Sequence, residues 1–239
     1  MKPRTRAVWR FVASGIGIAL GAYIARVAAA WLRYGHGPRP PLEEEIDPLL
    51  DLFIPDYELA ERHHVRVAVP AAFAFATATH MSLQKSAVIN AIFKAREVFM
   101  AAKPARRLGL PFLEQMRELG WRVLAEVPGR EIIMGAATQP WEPNPVFHGL
   151  GPEEFLAFNA PNFVKIAWTL RADPLTDAES IVRTETRVLT TDEMARSSFG
   201  RYWSLVAPGA VLVRLVMLRR IKKEAERRMR AEKAVPLSA

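Results

Sequence analysis

The chain has 239 residues, half of them hydrophobic and 24% charged, with a net charge of +8 and no cysteine. That length and balance suit one folded domain with an appendage and exclude a disordered chain. The missing cysteine excludes disulfides, thiolate metal sites and cysteine nucleophiles.

The charge is unevenly placed. Residues 1–40 hold seven Lys/Arg and no acids, residues 41–60 hold seven acids and no Lys/Arg, and residues 219–233 hold eight basic and three acidic residues. The remaining body, 61–218, has 18 basic and 15 acidic residues. A nucleic-acid binder carries its basic footprint on the fold that docks. Here the positive charge sits in the two ends, so no nucleic-acid partner is expected.

From Phe11 to Leu32 only Arg26 is charged, a 22-residue run long enough to cross a bilayer as a helix. Trp9 and Trp31 stand near its ends, and Lys2, Arg4, Arg6 and Arg10 precede it. Residues 1–34 therefore read as a membrane anchor, with membrane contact through residues 8–32. The positive flank places the N-terminus in the cytoplasm and the domain outside. The rival reading is a cleaved signal peptide ending near Ala28-Ala29-Ala30, which would make the protein secreted. Small residues recur at Ala13, Gly17, Gly21, Ala25 and Ala29, so a homodimer could form through the Gly17/Gly21 helix face. Residues 35–56 are rich in Pro and acids and read as a linker, with Leu49, Leu50, Leu52 and Phe53 available to dock on the body.

The body, 57–233, begins with Glu61–Val69, an alternating β-rich stretch with Val65, Val67 and Val69 inward. Helical spacing follows in residues 71–81 and 86–100, and a third short helix fits PFLEQMREL, with Pro111 at its start and Gly120 past its end. Residues 121–138 read as a hairpin turning at Pro128-Gly129. GPEEFLAF gives a helical turn, and residues 164–172 and 180–189 give a second hairpin across DPLTDAE. Last comes a long helix with a Thr190/Glu193 capping-box pattern, which Pro208-Gly209 should kink or interrupt. Residues 234–239 form a tail. One strand, helices, antiparallel strands and a final helix make an α+β domain, whose sheet must be covered by that helix.

This order resembles the START-like, helix-grip superfamily, also called SRPBCC or polyketide-cyclase-like. The resemblance is carried by ERHHVRVAVPAAFAFATA, by SIVRTETRVLTTDEMARSSFGRYW and by the closing helix. It implies a curved antiparallel sheet wrapped on a long C-terminal helix, here preceded by an N-terminal transmembrane helix. It also implies an apolar cavity between sheet and helix that binds a lipid or other hydrophobic small molecule. No short catalytic signature defines the superfamily, so no catalytic residue carries over.

Within RTETRV, one strand face holds Arg183, Glu185 and Arg187, and the other holds Val182, Thr184, Thr186 and Val188. Burying Arg and Glu without full pairing costs several kcal/mol, so the threonines are expected inward and the charged trio outward. Ile181 and Leu189 share the charged face, which tells against a purely solvated surface. Phe73, Thr184, Thr186, Trp168, Phe199, Tyr202 and Trp203 are the candidate cavity residues. Glu185, Arg187 and Tyr202 are the candidates for an enzyme of the cyclase, dehydratase or hydrolase kind. A third reading is a structural or interaction module with a filled core. His63 and His64 are adjacent and therefore on opposite faces, so they form no metal clamp. No metal or cofactor motif appears, and none is expected to be bound.

Overall fold

The computed structural model describes residues 39–82, 86–103 and 109–234, together with Gly21 and Ala25. The segment read as an anchor and dimerisation face otherwise lies outside the described residues. Among those described, no helix is long and apolar enough to cross a membrane.

In chain order the elements are a 3-10 turn (Glu43–Glu45), α1 (Pro48–Asp51), β1 (Leu59–Val67), α2 (Ala71–His80) and α3 (Ala87–Phe99). Then come α4 (Phe112–Glu118), β2 (Arg122–Val127), β3 (Glu131–Thr138), β4 (Phe147–His148) and α5 (Pro152–Ala157). The chain closes with β5 (Val164–Thr176), β6 (Glu179–Thr190) and α6 (Glu193–Ala234). All pairings are antiparallel, in the order β1-β6-β5-β3-β2, with β4 beside β3.

Local chemistry accounts for the turns. In the β2–β3 hairpin, Pro128 takes the second position of the turn and Gly129 the third, with φ 74°, while Arg130 donates its amide to Val127 at 3.0 Å. At Gly135 a Cβ would lie 2.4 Å from Leu124 and 3.0 Å from the Phe155 ring, so the bare backbone lets α5 seat on the sheet. The β5 and β6 strands are longer than their sequence pattern suggests and leave only Asp177 and Ala178 between them.

Two expectations change at α6. The helix runs unbroken for 42 residues with Pro208 inside it, so of the kink or interruption expected at Pro208-Gly209 the interruption does not occur. Its start is capped by Asp192, which accepts the Ala195 amide at 2.7 Å, whereas the Thr190 hydroxyl donates to Glu58. Ile92 of α3 lies 3.2 Å from where a Gly209 Cβ would sit, so α3 braces this part of the helix.

The sheet is covered on both faces. On one, α6 and α2 pack over Val67, Val182, Ile132, Met134 and Leu170. On the other, residues 42–58 run as a strap, burying Leu50, Phe53 and Ile54 with Phe155 of α5, Ile133 and Ala167. Leu52 points out, 65% exposed. The linker stretch thus has a buried role of its own.

Candidate functional site

The register of β6 decides which face each candidate meets. Thr184 and Thr186 pair with His63 and Glu61 of β1, and with Leu170 and Trp168 of β5, on the α6 side. Arg183, Glu185 and Arg187 pair with His64, Arg62 and Ala60 and face the strap.

The strap side corrects one expectation. The charged trio was expected to face solvent, yet Glu185 is 4% and Arg187 2% exposed. The desolvation cost is met by near-complete pairing. Arg187 donates to Glu185 at 2.7 Å, to Asp51 at 2.5 Å and to the Ile54 carbonyl at 2.8 Å, and its guanidinium lies 4.6 Å over the Tyr57 ring. Glu185 also takes Arg62 at 2.9 Å. Although burial works against it, these carboxylates hold the Arg187 pKa above the ordinary guanidinium range. Nearby, Arg171 donates to the Ile46 carbonyl at 3.1 Å, and Thr169 donates to Glu131 at 3.1 Å. The Glu131 pKa is raised to about 7, first by burial and then by the Asp47 carboxylate beside it. The crevice among these groups is about 20 Å³, room for a single water. This side is a latch that holds the strap.

On the other face, apolar side chains form two clusters. One contains Trp168, Phe112, Met217, Leu218 and Ile221, with Phe73 packed against it. The second contains Leu59, Val188, Phe199, Trp203 and Ala207, with Tyr202 packed against it. The open room expected under the helix is thus largely taken by the chain's own side chains. Phe199 and Trp203 stack at 5.9 Å, and Trp168 sits between Phe112 and Trp121 at 5.4 and 6.2 Å. Tyr202 lies at one end, where Arg96 approaches its hydroxyl at 3.5 Å and also reaches the Pro140 carbonyl at 3.3 Å.

Between the two clusters runs a polar belt. On β1, Glu61 and His63 separate Leu59 from Val65 and Val67. On β6, Thr184 and Thr186 separate Val188 from Val182. On α6, Arg214 separates Ala207 and Ala210 from Met217 and Leu218, at a position of the inward stripe 203, 207, 210, 214, 218, 221. Arg214 donates to Thr186 Oγ1 at 2.8 Å and to the Ala210 carbonyl at 3.3 Å. These account for two of the five guanidinium N–H groups. Burial lowers its pKa, with the Glu61 charge opposing that shift. His63 Nε2 lies 3.4 Å from Glu61 Oε2 and is buried without a well-formed hydrogen bond among the described residues.

The predicted site residues therefore separate. Thr184, Thr186 and Trp168 lie at or beside the belt, Phe199, Tyr202 and Trp203 lie in the second cluster, and Phe73 lies in the first. Glu185 and Arg187 are on the far side of the sheet from Tyr202, so the three do not form one site. Glu61, His63 and Arg214 were missed. Arg214 was readable in principle, because it interrupts an otherwise apolar helical stripe.

Among the described residues no group of three His, Asp or Glu side chains is placed to hold a metal ion. No family model and no curated protein matches the chain. Solved structures with partial likeness include a conserved protein from Geobacillus kaustophilus, at 12% identity and TM-score 0.35, covering 71% of this chain and 96% of that one. The Zhui aromatase/cyclase from Streptomyces sp. R1128 shares 14% identity at TM-score 0.28, covering 74% and 99%. The di-domain ARO/CYC BexL shares 14% identity at TM-score 0.27, covering 70% of this chain and 46% of its own. Independently of those scores, the antiparallel order β1-β6-β5-β3-β2 closed over by the C-terminal α6 makes this a helix-grip fold.

Proposed function

We propose that the domain binds an amphipathic hydrophobic molecule of lipid-like or polyketide-like kind, its apolar part between α6 and the sheet and its polar end at the belt. The belt is the observation that carries this reading. Three separate elements place polar groups at one level of an otherwise apolar interface, and among the described residues Arg214 there bonds only neutral oxygens, the Thr186 hydroxyl and the Ala210 carbonyl. An arginine on the inward stripe of a helix costs desolvation that an apolar side chain would avoid, with no charged hydrogen-bond partner to offset it. A hydrogen-bonding head group would recover that cost, while apolar ligand surface contributes about 25 cal/mol per Å² removed from water. Ligand-sized space is about 300 Å³ or more, so entry requires α6 or α2 to part from the strands.

A second reading rests on His63 and Glu61. At 3.4 Å they form an acid–base couple at the belt, suited to a proton transfer of the cyclase kind. In either case the apolar run of residues 11–32 would tether the domain to a bilayer, its source of lipid-like ligand.

The test is titration of the full chain with cis-parinaric acid, a fluorescent fatty acid, followed by native mass spectrometry. Saturable one-to-one uptake is expected, weakened roughly tenfold in Arg214→Leu, the loss of one charge-assisted contact. No uptake, or equal uptake by the variant, would refute the head-group role.

A further inference from the structure

We infer that the outer surface of α3 and the middle of α6 is a bilayer-contacting face, fitted to an anionic phospholipid membrane. It rests on different residues from the ligand reading. On α6, Arg201, Pro208, Leu212, Leu215, Arg219 and Lys223 follow one another at helical spacing on the side away from the sheet. Leu212 is 44% and Leu215 38% exposed, and the basic residues bounding them are exposed as well. Beside them, α3 turns outward a second apolar face of Val88, Ala91, Ala95 and Val98, with Val98 75% exposed and Lys94 on its border. The two helices are neighbours, since Ile92 approaches Gly209 and Arg96 approaches Tyr202.

Exposed apolar side chains occur elsewhere too, such as Leu52, Val127 and Leu175, on turns, strand ends and the strap rather than along a helix face. Here they cluster on two adjacent helices, and the rim of Lys94, Arg201, Arg219 and Lys223 is basic. An apolar strip edged by Lys and Arg is the pattern of a helix lying in the headgroup layer. The apolar residues enter the acyl boundary and the cations meet anionic phosphates. A protein partner of ordinary composition would not select for a one-sign rim.

Because the chain has no cysteine, single labels are unambiguous. The full chain, reconstituted with phosphatidylglycerol or phosphatidylcholine vesicles, would carry an environment-sensitive NBD label at Val88→Cys, Leu212→Cys or, as control, Leu175→Cys. The labels at 88 and 212 should shift blue in phosphatidylglycerol vesicles and lose roughly half their emission to a lipid-phase quencher, and the label at 175 should do neither. Arg219→Glu with Lys223→Glu should weaken this seating roughly tenfold. Recruitment of the chain through its apolar N-terminal run would leave the contrast between the labels intact. A blue shift that depends on protein concentration without vesicles would assign the face to a second copy and overturn the proposal. Labels at 88 and 212 behaving like the label at 175 would also overturn it. Neither outcome depends on fatty-acid uptake, so the two readings can fail separately.

Discussion

The two faces of the sheet hold inward-facing charge in opposite ways. Under the strap, Arg187 spreads its donors over two carboxylates and a carbonyl and stacks on Tyr57. Under α6, Arg214 reaches one hydroxyl and one carbonyl, and His63 has a loose contact with Glu61. Both arginines sit on or against the same strand. For these two arginines, saturation with carboxylate partners separates the side chain that holds the fold from the one left available to something else.

That contrast can be broken most forcefully on the saturated side. Arg187→Ala should cost about 3–5 kcal/mol in chemical denaturation, because it removes one of the two guanidinium partners of buried Glu185, leaves a gap beside Tyr57 and frees the strap. Equal stability would mean that the latch is incidental. The Glu131 carboxyl gives the next largest effect, through pH. Its folded pKa, raised from 4.5 to about 7, gives a contribution fully present below about pH 4.5 and lost as pH rises through about 7. Stability should therefore decline across that window, and Glu131→Gln should flatten the decline in parallel melts. On the unsaturated side the sign reverses. Arg214→Leu should leave stability unchanged or raise it by about 1–2 kcal/mol, since an apolar side chain completes the stripe. Its melting temperature should rise while fatty-acid uptake falls. The smallest change is expected for Thr186→Val. It removes the acceptor of Arg214 with little loss of volume and should shift stability by less than about 1 kcal/mol.

Much of the fold was legible because its signals are periodic. Alternation in β1 and β6 and the 3.6-residue stripe of α6 depend on many residues at once, so single exceptions did not hide them. The direction of Thr184 and Thr186 followed from the desolvation argument, and the structure agrees. The same argument misplaced Arg187, because it assumed that partners for a buried guanidinium would be absent. Those partners, Asp51 and the Ile54 carbonyl, come from a Pro-rich segment with no period of its own. Leu189, sharing a face with Arg187, was the available hint, and it packs beside the strap. The belt was harder to see, since Glu61, His63 and Arg214 are unremarkable until the register aligns them.

The bond between Arg187 and Asp51 links residues 136 positions apart. On a ribosome the strap therefore emerges long before its seat exists. At roughly 5–20 residues per second, its leucine and phenylalanine side chains wait on the order of ten seconds for β6 to follow. Closing so long a loop costs entropy before any contact rewards it, which places this step late in folding. Until then the nascent chain presents a short greasy segment that a chaperone could hold.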